Sequence, residues 1–375
     1  MITRYGMCPG IKTGETEVQA EARQRAFYGD YRVVRAFFPK TLMGQENGSA
    51  KATRQVILGM SPAEDLVVSC KSVGPEFPAR VAELKAARLD RATAAGVEPG
   101  RTRIIIYHEP ENLTKVDYNG LWNAALPTLT AEVDWLEPGT CHTGYWAREV
   151  DSAGARVNDW RTYIPSNPAV QRLLRFVSVD LYPSAGRPTR AKPKYYEPPD
   201  PHLSPYGGWT EIGFCGILDE MLAELRSDEW PEIDPELEGG VAEINHTRPT
   251  LDAGWPTGFA DSDPQGVNNA AWLNAVLQYA QGRYAFVTYF HKGGGILTDR
   301  TPQSEAELLR AWVRTTYDDA EPAPVPDPGD PQYIFGYEAG WKHRDETAQR
   351  EAEQAREAGR DEVAVKVKDV IWPFL

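Results

Sequence analysis

Residues 103–112 read RIIIYHEPEN, a short apolar run that turns polar within a few residues. Three successive isoleucines predict a strand that is buried on both faces. Such strands are typical of parallel sheets covered by helices rather than of exposed antiparallel sheets. The run is followed at once by ionisable residues and a proline. The stretch therefore predicts a parallel strand that carries His108 and Glu109 at its carboxyl end.

Seven further segments have the same character, and segments of helical pattern separate them. The other predicted strands are residues 2–7, 31–38, 66–71, 140–146, 176–182, 240–245 and 285–291. The predicted helices are residues 15–28, 78–95, 118–136, 168–175, 216–226, 268–281 and 304–315. Eight strands that alternate with helices predict an α/β protein with a (β/α)8 TIM barrel. A doubly wound sheet is the alternative, but Gly6, Gly10 and Gly14 do not form its GxGxxG turn.

The 375 residues divide unequally along the chain. Residues 1–318 hold all eight predicted strands and are expected to form the barrel. Residues 319–332 are rich in proline and predict a semi-rigid linker. Residues 333–375 combine a charged helical pattern with an alternating, strand-like one. We expect this last segment to form a small C-terminal αβ module for attachment or oligomerisation.

Composition excludes several classes of partner and cofactor. Lys and Arg total 40 against 54 Asp and Glu, for a net charge of −14, which argues against nucleic acid and anionic membranes as partners. No apolar run reaches the ~20 residues of a membrane span, so no membrane insertion is expected. The start shows no signal-peptide pattern, which favours a cytoplasmic or virion location. The four cysteines lack CxxC spacing, so we expect reduced thiols and no metal or cofactor.

Two carboxylates stand at predicted strand ends, where barrels carry their function. Glu109 follows the fourth strand, and Glu243 lies near the end of the seventh. These strands lie across the barrel mouth from each other, so both side chains are expected to face a sugar-sized gap. Opposed carboxylates suit glycoside hydrolysis, in which one protonates the leaving oxygen and the other attacks the anomeric carbon. Glu111, two residues after Glu109, is the alternative carboxylate.

The pair His108-Glu109 at strand four, with Glu243 at strand seven, resembles the clan A glycoside hydrolase barrels, nearest to the mannanase-type family. The resemblance implies a retaining hydrolase that acts on a polysaccharide or oligosaccharide by double displacement. It implies that Glu109 is the acid/base and Glu243 the nucleophile. It also implies that Tyr182 orients the nucleophile and that Tyr289 occupies the place of the sugar platform.

Further side chains at strand ends and in loops are candidate substrate-binding residues. They are His108, Lys71, Trp146, Asp180, His246, Tyr289, His291, Trp255 and Trp209. Flat aromatic rings stack against the C–H groups of sugars, which is why the tryptophans are included. Structural interpretations stay open beside these roles: the tryptophans as packing, His108 as a core histidine, and Asp180 as a strand-end partner of Lys71 or Arg35.

Other chemistries have weaker support in the sequence. Metal hydrolysis would need clustered ligands such as HxH after strand one, and GMCPG offers none, while the strand-end histidines look isolated. Serine hydrolysis would need a GxSxG elbow. A barrel followed by a Pro-rich linker and a small module also resembles bacteriophage tail proteins. The alternative function is thus a non-catalytic glycan-binding or structural virion protein, whose residues 333–375 dock onto other virion subunits.

Overall fold

The structure is a computed structural model that describes nine parts of the chain. They are residues 3–8, 17–28, 32–38, 56–148, 157–181, 216–244, 277, 280–290 and 310. The predicted linker 319–332 and module 333–375 lie outside them. No helix in the described parts is both long and apolar enough to span a membrane.

Eight parallel strands close a barrel in chain order, which confirms the predicted fold class. The strands are β1 Arg4–Cys8, β2 Val33–Phe38, β3 Asp65–Cys70, β4 Thr102–Ile106, β5 Leu136–Thr143, β6 Phe176–Leu181, β7 Glu238–Ile244 and β8 Phe286–Phe290. The closing pair is β1 with β8, in register from Arg4–Phe286 to Cys8–Phe290. The prediction for strand five was shifted, because β5 begins at Leu136 and Trp146 already belongs to the next helix.

Helices alternate with the strands as predicted, with one irregularity. They are Glu17–Tyr28, Phe77–Lys85, Arg91–Ala95, Lys115–Ala131, Gly144–Arg148, Pro168–Gln171 and Gly216–Leu225. A π-helical turn at Ala86–Asp90 interrupts the single helix predicted over residues 78–95. The hydroxyl of Thr114 caps the helix that follows β4 by accepting from the Asp117 backbone N–H at 3.1 Å. The predicted helices 268–281 and 304–315 lie mostly outside the described residues.

The core has two layers that follow the alternation of side chains along each strand. The larger cluster joins strand residues to helix residues such as Val81, Leu84 and Trp122, so it fills the space between barrel and helices. The smaller cluster contains strand-associated residues and no residue of the helices, so it fills the barrel interior. Its largest members, Phe176 and Phe286, meet edge to face with ring centroids 5.6 Å apart. The barrel interior is therefore filled with side chains at the height of Phe176 and Phe286.

Two glycines make room for these interior rings. A Cβ atom added to Gly139 would lie 2.5 Å from the Phe176 ring, and one added to Gly240 would lie 2.2 Å from the Phe286 ring. Real Cβ atoms do not approach other heavy atoms so closely, so both positions need a residue without a side chain. The two glycines thus make room for the bulky rings of the interior cluster.

A network of charged side chains lies at the amino ends of the strands. Arg103 is almost fully buried there and lies 3.1 Å from Asp65, 3.2 Å from Glu238 and 3.4 Å from Glu137. Arg101 lies nearer the surface, 2.7 Å from both Glu137 and Glu238. We call these five residues the lower network. Each of its carboxylates lies within ion-pair distance of an arginine, so every negative charge of the network has a positive partner.

Candidate active site

The chain leaves β4 through an unusual backbone conformation. Tyr107 has φ 60° and Glu109 has φ 55°, so two of three successive residues lie in the left-handed region. Non-glycine residues avoid this region, and such strain concentrates at functional sites. The amide and side chain of Asn112 both donate to the Glu109 carbonyl at 3.2 Å, which holds the turn. His108 is thereby buried towards the barrel, while the side chain of Glu109 stays 30% exposed at its rim.

The two predicted catalytic carboxylates converge on one atom, Nε2 of His108. This nitrogen lies 3.2 Å from Glu243 Oε1 and 4.0 Å from Glu109 Oε2. It also lies 3.1 Å from Asp180 Oδ2. Because both glutamate oxygens lie near the same nitrogen, they are at most about 7 Å apart, an upper limit that is compatible with the separation of about 5–5.5 Å in retaining glycosidases. The structure therefore brings together four of the predicted site residues.

A bulge in β7 turns Glu243 towards this cluster. The register between β6 and β7 steps from Val179–Val241 to Asp180–Glu243 and so skips Ala242. Ala242 belongs to the interior cluster, and regular alternation would place its successor on the opposite face. A bulge re-aims the side chain beside it, and such bulges recur at barrel rims and next to active sites. The irregularity thus explains how Glu243 comes to lie against His108.

Arg35 of β2 is a site residue that the sequence analysis did not assign to the site. One of its Nη atoms donates to Ser69 Oγ at 2.8 Å, and the same atom lies 3.2 Å from His108 Nδ1 and 3.7 Å from Glu243 Oε1. The guanidinium lies 4.0 Å from the centre of the Phe37 ring. A signal was present in the sequence, because an arginine within the apolar run YRVVRAFF must be paired if that run is buried.

Burial and neighbouring charges set the protonation of this cluster. Burial lowers the pKa of His108 well below its usual value, and the positive charges of Arg35 and Lys71 add to the effect. Burial raises the pKa of Asp180 well above its usual value, and the Glu243 carboxylate adds to that shift. The uncharged forms of His108 and Asp180 are therefore favoured, and Arg35 is the cation beside Glu243.

Two predicted substrate contacts are deeply buried. Asp180 is fully buried, and its Oδ2 lies 3.1 Å from His108 Nε2. Tyr289 is 3% exposed and belongs to the outer core layer with Val287. Phe286 points into the barrel, so residues of the opposite parity on β8 face the helices. The roles of Asp180 and Tyr289 in substrate binding stay predictions.

Lys71 and Trp146 lie near the mouth but outside the cluster. Lys71 is exposed, and its Nζ lies 5.9 Å from the centre of the Tyr107 ring. Trp146 is partly buried and meets Tyr163 edge to face with ring centroids 5.6 Å apart. Their role in substrate binding stays a prediction. The remaining predicted site residues lie outside the described parts of the chain: Tyr182, Trp209, His246, Trp255 and His291.

The carboxylate of Glu111, the alternative catalytic residue, is hydrogen-bonded to the end of β5. Its Oε1 accepts from the Thr143 backbone N–H at 3.0 Å, and its Oε2 accepts from the Thr143 hydroxyl at 3.1 Å. His142 Nδ1 lies 3.5 Å from Oε1. Since both carboxylate oxygens are engaged, Glu111 fastens the turn after β4 to the end of β5. It is Glu109, not Glu111, that faces the cluster.

Potential metal ligands also meet in this cluster. Within the described residues, His108, Cys141 and Asp180 offer donor atoms that all lie within 4.8 Å of one another. The Cys141 thiol lies 3.3 Å from Asp180 Oδ1. The expectation that the strand-end histidines are isolated is thus wrong for His108, because neighbouring strands bring a thiol and a carboxyl group to it. Within the described residues, Cys8, Cys70 and Cys141 form no disulfide, and Cys215 lies outside the described parts.

Comparison with known proteins gives similarity in fold. No protein-family model matches the chain, and no curated protein matches its sequence. The chain is similar to the solved structure of a glucosidase from Croceicoccus marinus, with 13% identity, a TM-score of 0.48, and coverage of 84% of this chain and 67% of that one.

Two β-1,3-glucanases are similar as well. One is a GH128 subgroup I endo-β-1,3-glucanase from Amycolatopsis mediterranei, solved with laminaritriose, with 13% identity, a TM-score of 0.40, and coverage of 83% and 99% of the two chains. The other is a GH128 subgroup III curdlan-specific exo-β-1,3-glucanase from Blastomyces gilchristii, solved with glucose, with 11% identity, a TM-score of 0.41, and coverage of 82% and 97%. At such identities and TM-scores, these similarities assign no activity to this chain.

Proposed function

We propose that the chain is a glycoside hydrolase with Glu109 and Glu243 as its catalytic pair. The observation that carries this proposal is the convergence of both carboxylates on His108 Nε2, at 4.0 and 3.2 Å, from the ends of β4 and β7. The cluster lies at the carboxyl ends of the strands, where barrel enzymes carry their active sites. Two carboxyl groups across a sugar-sized gap are what glycosidic cleavage requires.

The environments of the two glutamates favour different roles. Glu109 stands at the rim with a partly exposed side chain, where it can reach a glycosidic oxygen and later a water molecule. Glu243 is buried beside the guanidinium of Arg35, which compensates the negative charge of a nucleophilic carboxylate. We therefore assign Glu109 as the acid/base and Glu243 as the nucleophile.

A double displacement follows from these roles. Glu109 protonates the leaving oxygen while Glu243 attacks the anomeric carbon, so the glycosidic C–O bond breaks as an ester to Glu243 forms. Water then attacks the same carbon, Glu109 accepts the water's proton, and the ester bond breaks. Both carboxyl groups return to their first state. The retaining outcome is part of the proposal, since it needs a separation of about 5–5.5 Å between the carboxyl groups.

The substrate that we propose is a neutral polysaccharide or oligosaccharide. A net charge of −14 opposes binding of polyanions and leaves stacking and hydrogen bonding as the means of recognition. The bacteriophage tail setting, the virion location and the docking of residues 333–375 stay predictions from sequence, because those residues lie outside the described parts of the chain.

The test is a screen of neutral and charged polysaccharides with analysis of the released sugars. We expect products from a neutral glycan with the wild-type protein, and none above background with Glu109→Gln or Glu243→Gln. Proton NMR of the first product formed, before mutarotation, should give the anomeric configuration of the substrate. Glycan binding without cleavage by the wild type would instead support the non-catalytic alternative, and an inverted product would refute the nucleophile role of Glu243.

A further inference from the structure

The ring of His108 is held on both edges by groups of known hydrogen-bonding character. At Nδ1 it meets a guanidinium N–H of Arg35, 3.2 Å away. At Nε2 it meets Asp180 Oδ2 and Glu243 Oε1, at 3.1 and 3.2 Å. Phe37 packs against the ring edge to face, with centroids 5.4 Å apart, and so limits its rotation.

The donor and acceptor roles of these groups fix the tautomer. An arginine side chain can only donate, so Nδ1 of His108 must accept and cannot carry a proton. A neutral imidazole then carries its single proton on Nε2. This Nε2 lies 3.1 Å from Asp180 Oδ2 and 3.2 Å from Glu243 Oε1, so the proton is close to both carboxyl groups. The contact of Nδ1 with Arg35 is consistent only with the neutral Nε2–H form.

We propose that His108 is a positioning residue for the nucleophile: Arg35 imposes the Nε2–H tautomer, and this N–H orients Glu243 towards the anomeric carbon. The proposal rests on the assigned role of Glu243 but adds a residue and a mechanism to it. Arg35 thus acts on the nucleophile both directly, at 3.7 Å, and through the ring of His108.

Asp180 gives the ring a second acceptor and keeps it in place through the reaction. When Glu243 is esterified in the first step it loses its negative charge and becomes a poorer acceptor. Asp180 Oδ2 lies 3.1 Å from the same Nε2, and an oxygen of an uncharged carboxyl group that carries no proton can still accept. The ring therefore does not need to turn between the two steps.

The charges around the ring support a fixed neutral state. The charged or titratable groups that face His108 come from six strands or their ends: Arg35, Lys71, Glu109, Cys141, Asp180 and Glu243. Burial, with Arg35 and Lys71, lowers the pKa of His108 and so opposes a second ring proton. The same assignment bears on metal binding, because an Nε2 that carries a proton offers no lone pair to a cation.

The tautomer can be tested without a substrate. In protein labelled with ¹⁵N-histidine, NMR distinguishes protonated from unprotonated ring nitrogens, and the His108→Gln variant identifies the His108 signals. We expect protonated Nε2 and unprotonated Nδ1, unchanged from pH 5.5 to 8. In Arg35→Met the constraint is removed, so we expect a tautomer mixture or a titrating ring. A wild-type ring protonated at Nδ1, or on both nitrogens, would overturn the proposal whatever the enzyme acts on.

The positioning role is tested with two amides at the same position. Glutamine places its amide near the former Nε2, whereas asparagine places it near Nδ1, facing Arg35. We expect His108→Gln to keep kcat within about 10-fold of wild type and His108→Asn to lower it about 100-fold or more, with little change in KM. The matched control is His142→Gln, a buried histidine whose Nε2 meets Thr140 Oγ1 at 3.1 Å outside the cluster.

A purely structural role predicts a different pattern. In that case both His108 variants would lose activity in proportion to their loss of thermal stability, and His142→Gln would behave in the same way. Equal kcat values for the two His108 variants at equal stability would therefore overturn the positioning role. If the tautomer is confirmed while neither Glu109 nor Glu243 affects hydrolysis, the proposed function fails and the tautomer assignment stands.

Discussion

The two ends of the barrel both bury charged side chains, but they compensate those charges differently. In the lower network, Arg101 and Arg103 together lie within 3.4 Å of three carboxylates. At the mouth, Arg35 is 3.7 Å from Glu243, while Asp180 and Glu109 converge on a neutral histidine.

The pKa shifts at the two ends reflect this difference. Burial opposes ionisation of Glu238, but hydrogen bonds from Arg101 and the nearby charge of Arg103 outweigh it and lower its pKa. Burial and the charge of Glu243 raise the pKa of Asp180 instead. The lower network thus favours the ionised form of its carboxylate, whereas the mouth disfavours ionisation of Asp180. Under the proposed function, the mouth keeps these groups for chemistry at some cost in stability. This division matches the roles of the two faces in barrel enzymes.

The sharpest test of the contrast uses two glutamates of the same strand, since Glu238 begins β7 and Glu243 lies near its end. We expect Glu243→Gln to lower kcat by about three to four orders of magnitude, because an amide cannot act as the nucleophile. Glu238→Gln should leave kcat within about 2-fold, because it is remote from the mouth. Kinetics on the glycan found in the screen, with circular dichroism to verify folding, measure both. Equal losses of kcat would remove the functional division between the two ends.

The fold was predictable because parallel barrel strands are buried on both faces and read as apolar runs. RIIIYH, FVSVDL and GVAEIN all became strands within a few residues of their predicted bounds. His108, Glu109 and Glu243 were predictable as well, since polar residues at the ends of such runs reach the mouth.

The details of the site were not predictable, because they depend on tertiary packing. The bulge at Ala242 and the positive φ of Tyr107 and Glu109 leave no mark in a single sequence. The regular alternation of side chains along β4 and β7 does not by itself predict that the side chains of His108 and Glu243 face the cluster. The position of Tyr289 in the outer core layer was not predictable either, since a strand-end residue can face either layer.

The largest effect on stability is expected at Arg103. Arg103→Met removes a buried guanidinium that lies within 3.4 Å of three carboxylates, those of Asp65, Glu137 and Glu238. These carboxylates then lose the positive charge of Arg103. Removing one partner from a buried ion pair costs about 3–5 kcal/mol. Urea unfolding at pH 7 measures the change in the free energy of unfolding. At a temperature where the variant is folded, kcat should match that of wild type, and a large fall in kcat would mean that the two ends are coupled.

The pH dependence of stability should have opposite signs at the two ends. The folded-state pKa of Asp180 is raised, so its contribution is present below its unfolded value and is lost as pH rises through the folded value. Glu238 has a lowered folded-state pKa, so its contribution is present above its unfolded value and is lost as pH falls.

At pH 7, Asp180→Asn should therefore be more stable than wild type, by about 1 kcal/mol, because an amide removes a buried ionisable group. Glu238→Gln should be less stable by about the same amount at pH 7. The difference for Asp180→Asn should shrink as the pH falls towards about 4, near the unfolded pKa of Asp, whereas that for Glu238→Gln should shrink only below about 4.3, the unfolded pKa of Glu. Urea unfolding from about pH 3 to pH 8 gives the two profiles, and the same sign at pH 7 would contradict the contrast.

The smallest expected effect separates the two arginines of the lower network. Arg101 makes shorter contacts than Arg103, at 2.7 Å, but its side chain is 42% exposed. Water screens an exposed ion pair and ordering a long side chain costs entropy, so Arg101→Met should cost only about 0.5–1 kcal/mol despite the closer geometry. Comparison of its urea midpoint with that of Arg103→Met shows whether burial or distance governs the network. If Arg101→Met lowers the free energy of unfolding as much as Arg103→Met does, the distance between the charges matters more than their burial. The strength of the Arg35–Glu243 ion pair at the mouth would then have to be judged from its length of 3.7 Å rather than from its burial.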